Sequence, residues 1–167
     1  KAGVLLGLFM WGWFRAGTLQ AQVQARLLST LFGCFVAMIL ARVLAMTLPF
    51  RLRPLHEERL DFMLPHGMQP TALESWSSFP SDHAVLFDAL SAGMFCLSRK
   101  IGLFAIAYTT LFMALPRVYL GLHYPTDILA GAFVGVGIAW VCQSSALLGR
   151  VSRAGVEYSS PRTEFFY

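Results

Sequence analysis

The chain has 167 residues, 56% hydrophobic and only 13% charged, with a net charge of +4 and a mean hydropathy of +0.59. A soluble domain is about 45–50% apolar and about 25% charged, so the composition argues against an ordinary water-soluble globule and makes the bilayer the expected solvent. The basic residues lie between apolar runs, as the flanks of membrane helices do, and not on one face as a nucleic-acid surface would need.

Five apolar runs follow in chain order. Ala2 to Phe14 is short. Leu27 to Phe50 is long enough to span, since a membrane helix takes about 20 residues with a range of about 17–25. Ala84 to Leu97 is short unless the polar residues before it count. Ile101 to Leu120 spans, with Arg117 near its end, and Ile128 to Leu148 spans. The two short runs also fit re-entrant or core helices. The expected fold is an all-α polytopic transmembrane bundle of one domain over 1–150, with five helices, an outer loop over 51–78 and a polar tail over 151–167. The chain opens on Lys1 without a methionine and is apolar from Ala2, so a preceding segment with a sixth helix is expected.

The connections set a topology. The polar link from Arg15 to Arg26, the tight turn Ser98-Arg99-Lys100 and the tail with Arg150, Arg153 and Arg162 share one side, and all carry Lys or Arg. That side is expected to be cytoplasmic. The 51–78 loop and the Gly121–Thr126 turn then face outward. Cys34, Cys96 and Cys142 each lie inside an apolar run without ligand spacing, and read as buried, unpaired thiols. Gly131 and Gly135 have the small-xxx-small spacing of close helix packing.

Three polar clusters fall on the outer side: "PFRLRPLH" after the second run, "FPSDHA" before the third, and "PRVYLGLHYPTD" between the fourth and fifth. Helix ends at one depth can gather Arg53, Ser81, His83, Arg117, His123 and Asp127 into one pocket. Arginines make always-charged, bidentate contacts that suit phosphate oxygens, and a helix start at Ser81 or Asp82 offers free N–H groups to an anion. Two histidines can divide phosphoryl transfer, one attacking phosphorus and one protonating the leaving oxygen. Asp127 lies four residues after His123, with Pro125 as a first-turn proline, and an aspartate on one ring nitrogen leaves the other as the nucleophile.

The residues Arg53-Pro54, Pro80-Ser81-Asp82-His83 and Arg117-x5-His123-x3-Asp127, in this order within a polytopic chain, resemble the type-2 phosphatidic acid phosphatase superfamily of integral-membrane lipid phosphatases. The resemblance spans roughly residues 40–140. It implies His123 as the nucleophile that forms a phosphohistidine, His83 as the general acid and Asp127 as the group that orients His123. Arg53, Arg117 and the Ser81 hydroxyl would hold the phosphoryl group, with no metal or other cofactor. The Pro-Ser-Asp-His form preceded by Ser-Phe resembles the bacterial undecaprenyl pyrophosphate phosphatases, which implies a polyprenyl diphosphate substrate at the outer face of an inner membrane. The expected partners are that lipid and the surrounding bilayer lipids, not nucleic acid.

Three positions depart from the family pattern. Its lysine falls at Met46, its serine at Pro116 and its glycine at Asp82. Arg51 or Arg42 is a candidate replacement for the lysine. Asp82 would repel an anionic substrate unless it points away or pairs with an arginine. Charges inside membrane runs mark pairs or function. Asp88 lies about 9 Å down its helix from Asp82, and Arg42 about 10 Å down its own from Pro49, so a buried Arg42–Asp88 pair is expected. His56, His66, Glu57 and Glu58 read as loop polarity, and Trp76, Tyr119 and Tyr124 as an interfacial aromatic belt. The rival readings are a phosphatase for phosphatidylglycerol phosphate, phosphatidic acid or lipid A, and a non-catalytic membrane protein that binds or moves phospholipids.

Overall fold

A computed structural model describes residues 3–15, 20–60, Met63, Gly67, Thr71 and residues 76–144. Asp61, His66, Glu74 and the 151–167 tail lie outside the described residues. The described residues form helices and no strands: α1 (Gly3–Arg15), α2 (Gln20–Thr47), α3 (Asp82–Leu97), α4 (Arg99–Thr109), α5 (Leu115–Tyr119) and α6 (Pro125–Ser144), with short 3-10 turns at Pro54–His56 and Glu58–Leu60. A π-helical turn, Thr110–Ala114, joins α4 to α5, so 99–119 runs on as one rod. The described residues therefore form five rods. Three segments, Gln20–Thr47, Arg99–Tyr119 and Pro125–Ser144, are long and apolar enough to cross a membrane.

The elements follow from their residues. Helix α2 starts at Gln20 instead of Leu27, because Gln, Ala and Arg are good helix formers and their polar ends find partners. Gln24 Nε2 donates to the Trp13 carbonyl at 3.3 Å, and Arg26 Nη1 donates to the Cys96 carbonyl at 2.7 Å. Pro116 lacks an N–H and cannot continue a regular ladder. The π turn immediately before it absorbs the break. Pro125 opens α6, where its missing donor costs nothing.

Helix α3 has 16 residues, about 24 Å at 1.5 Å per residue, which is shorter than a hydrocarbon core of about 30 Å. It packs against α2, α4 and α6 and buries Ala84, Val85, Phe87, Ala89, Ser91, Gly93 and Met94. The run therefore packs among the other helices of the bundle. Its polar Ser91 hydroxyl is satisfied by Thr109 Oγ1 at 3.1 Å. Two of the glycines in α6 let it lie directly on α3. A Cβ at Gly135 would sit 2.3 Å from the Val85 carbonyl oxygen, and one at Gly131 would sit 2.8 Å from that of Ser81. This approach brings the start of α6 to the start of α3. On the outside, Phe35, Phe104, Phe133 and Trp140 are exposed, as lipid-facing positions are.

Candidate active site

The three polar clusters meet at one end of the bundle, stitched by backbone hydrogen bonds. Ser78 N donates to Arg51 O at 2.9 Å, Ser81 N to Asp127 O at 3.2 Å and Leu55 N to Gly121 O at 3.0 Å. With Ser78 counted in the cluster it directly precedes, each bond joins a different pair of clusters. Gly121 takes φ +65°, the left-handed conformation that glycine adopts without a Cβ penalty, and the turn delivers His123 to the site. Arg53 is extended, with φ −76° and ψ 151°, as the residue before a proline prefers.

A cavity of about 430 Å³ opens here, lined by residues that include Arg42, Met46, Phe50, Arg53, Trp76, Asp82, His83 and His123. A narrow cleft beside it is lined by Ser81, His83, Asp88, Thr109 and Arg117. The structure thus places His123, His83 and Arg53 on the cavity, Ser81 and Arg117 on the adjoining cleft, and His83 on both. Asp127 is fully buried behind His123.

His123 is only 6% exposed. Its Nδ1–H donates to the Ser78 carbonyl at 2.8 Å, which leaves Nε2 unprotonated, 3.4 Å from Arg53 Nη1. Burial pushes the imidazole down from its ordinary value near 6.5 to about 4, and the Ser78 carbonyl only partly opposes this. The ring is therefore neutral at physiological pH, with a lone pair on Nε2. Arg53 is 7% exposed and is anchored by Nη1 donating to the Leu122 carbonyl at 2.8 Å. Its Nε and the Ser81 hydroxyl are buried polar atoms with no partner among the described residues. Unpaired buried donors are rare and call for a partner. Ser81 is the N-cap of α3, yet its hydroxyl makes no capping bond. Arg117 Nη1 donates to Met113 O at 3.1 Å, within the π turn. His83 lies at the cavity surface, stacked on Phe87 at 6.3 Å.

One sequence expectation is made more specific here and one is corrected. Asp127 Oδ2 lies 3.9 Å from His123 Nδ1, near enough to interact by charge but beyond hydrogen-bond reach. That oxygen instead accepts from the Ser78 hydroxyl and from Tyr124 N at 2.9 Å. Asp127 therefore fixes Ser78 and the His123 turn, and the Ser78 carbonyl fixes the tautomer. Arg42 pairs with Asp82 at 3.0 Å and not with Asp88. Equal backbone depth did not settle the partner, because a long arginine stem carries its head toward the polar end of the helix. Asp88 stays below, on the cleft with Arg117.

Ser78, which the sequence motifs did not single out, and Arg51, a candidate replacement for the lysine, both join the candidate site. Ser78 is fully buried, and its only signal was the Ser-Phe before Pro80. Arg51 Nη1 reaches Asp127 Oδ1 at 2.7 Å and Thr126 Oγ1 at 3.1 Å, and its guanidinium lies 4.2 Å from the Tyr124 ring centroid. Arg51 therefore neutralises Asp127, which leaves Arg42 as the extra cation on the cavity.

The model of the PAP2 superfamily matches residues 25–147. The chain belongs to the PAP2 superfamily. Similar PAP2 relatives include the undecaprenyl-diphosphatase BcrC of Bacillus subtilis, 30% identical over 55% of this chain and 44% of its own length. The lipid A 1-diphosphate synthase of Escherichia coli is 39% identical over 43% of this chain and 31% of its own. The lipid A 4'-phosphatase of Bacteroides thetaiotaomicron is 40% identical over 38% of this chain and 28% of its own. The chain thus spans less than half the length of these curated relatives. No solved structure matches it.

Proposed function

We propose that the chain is an integral-membrane phosphatase that hydrolyses undecaprenyl diphosphate, or a closely similar polyprenyl diphosphate, to the monophosphate through a phosphohistidine at His123. The observation that carries this reading is the tautomer. Nδ1–H is spent on Ser78 O, so an unprotonated Nε2 lies beside Arg53 on a cavity shared with His83. Nε2 attacks the terminal phosphorus, and the bridging P–O bond breaks with its electron pair on the leaving oxygen. His83 delivers a proton to that oxygen, then takes one from the water that cleaves the N–P bond. Arg53, Arg117 and Ser81 hold the phosphoryl oxygens, the unpaired Arg53 Nε and Ser81 hydroxyl finding their partners there. Asp127 supports the nucleophile through Ser78. The residues supply the nucleophile, acid and charge without a metal, so chelation with EDTA should leave turnover unchanged.

The lipid tail leaves the site over Ala45, Met46 and Phe50, apolar residues of the cavity wall at the end of α2. The basic turns on the opposite side favour the outer face of a bacterial inner membrane for this end of the bundle. The test is a panel of polyprenyl diphosphate, lipid A, phosphatidic acid and phosphatidylglycerol phosphate offered to the purified protein. Fastest phosphate release from the polyprenyl diphosphate, abolished by His123→Ala, is expected. Full turnover in His123→Ala would overturn the mechanism, and no turnover on any lipid phosphate would overturn the function. The lipid A enzymes among the relatives favour lipid A as the second reading, which the same panel separates.

A further inference from the structure

We infer that Arg42, held by Asp82 and stacked on Trp76, binds the second phosphate of a diphosphate substrate and selects diphosphates over monophosphate esters. This rests on the phosphatase reading above and adds a specificity site to it. The cavity has cations on two walls. Arg53 stands beside His123, where the phosphate under attack would lie. Arg42 reaches the cavity from α2, together with Ala45 and Met46. A leaving group that carries a phosphate and a tail would meet Arg42 first and the apolar wall next. At about 430 Å³ the cavity falls within the range of about 300–1,000 Å³ usual for small-molecule sites, which is more than one phosphoryl group needs.

Arg42 is only lightly committed within the fold. A guanidinium has five N–H donors in a planar fork, and here Nη2 alone makes a hydrogen bond among the described residues, to Asp82 Oδ2 at 3.0 Å. The Arg42 and Asp82 side chains are 43% and 31% exposed, and pairs this wet hold weakly, screened by water. A phosphate, which arginine grips bidentately, can take the place of one carboxylate oxygen. Trp76 lies under the guanidinium, 4.6 Å from ring centroid to Cζ. It supports the flat face by a cation–π contact and leaves the edge of the fork for the ligand. Asp82 then has a reason to stand where the wider family has glycine. It holds Arg42 at the cavity, and Arg42 cancels a carboxylate that would otherwise repel the substrate.

The test is titration calorimetry of inorganic pyrophosphate and inorganic phosphate into the detergent-solubilised protein, with lipid-phosphate turnover measured on the same preparations. Wild type should prefer pyrophosphate. Arg42→Gln should cut that preference by about tenfold, the loss expected for a charge-assisted hydrogen bond. Asp82→Asn keeps a side-chain oxygen that can hold Arg42 but removes the competing negative charge, and should tighten pyrophosphate. Should Arg42→Gln fold poorly, Arg42→Lys keeps the charge without the fork and should lose part of the preference. Equal weakening of both anions by the arginine variants, no change in either, or weaker pyrophosphate binding in Asp82→Asn would overturn the inference, the last marking a purely structural pair. Loss of the phosphatase reading is distinguishable, because it shows as absent turnover in wild type whatever pyrophosphate does.

Discussion

At the scale of single residues, the site runs on two buried hydrogen-bond chains. One is His123 Nδ1–H to Ser78 O. The other is Asp127, which takes Ser78, Tyr124 and Arg51. Because burial lowers the His123 pKa to about 4, Nε2 stays unprotonated throughout the neutral range. The sign is therefore that acid inactivates only when pH falls toward 4. A kcat/KM–pH profile reports the free enzyme's groups, and its His123-dependent acid limb should appear near pH 4, not near 6.5. Arg51→Ala strands the buried Asp127 carboxylate and should cost about 1–3 kcal/mol, read as a lowered melting temperature in detergent. Sequence reasoning named His123, His83, Asp127, Arg53, Arg117 and Ser81 because motif spacing reports which residue types recur. It did not report Ser78's role, because a backbone carbonyl leaves no trace in residue identity. It also gave Arg42 the wrong acidic partner, because the end of a flexible side chain is not fixed by its Cα.

At the scale of elements, α6 sets the distance between the His123 turn and the helix that carries His83. Gly131 and Gly135 allow this, since a Cβ at either meets α3 backbone, whereas one at Gly137 meets nothing within 4 Å. Gly135→Ala should destabilise by about 1–3 kcal/mol through overpacking and lower turnover, while Gly137→Ala should leave the melting temperature within error. The glycine spacing and the helix-start Pro125 were legible in the sequence. The π turn was not, because it arises from how the rod accommodates Pro116 and delivers Arg117 next to His83. The start of α2 was also misplaced, because hydrophobicity marks where lipid contact begins and not where hydrogen bonding begins.

At the scale of the whole molecule, the order of apolar runs sufficed for an all-helical bundle, and the polar clusters at alternate ends sufficed to bring the site to one end. Which short run lay inside was open in the sequence, because a buried helix and a thin membrane helix have the same composition. In the structure α3 packs against α2, α4 and α6. The basic turns predict sidedness. In a cysteine-free background, a membrane-impermeant thiol reagent applied to intact cells should label Leu52→Cys in the outer loop and spare Lys100→Cys in the opposite turn. Labelling of Lys100→Cys alone would invert the topology.

The central claim is that His123 becomes covalently phosphorylated. The direct measurement is a rapid alkaline quench of the enzyme turning over polyprenyl diphosphate labelled in its terminal phosphate. An alkali-stable, acid-labile label that maps to His123 should accumulate in wild type and be absent from His123→Ala. Turnover at full rate with no label on His123 would contradict it.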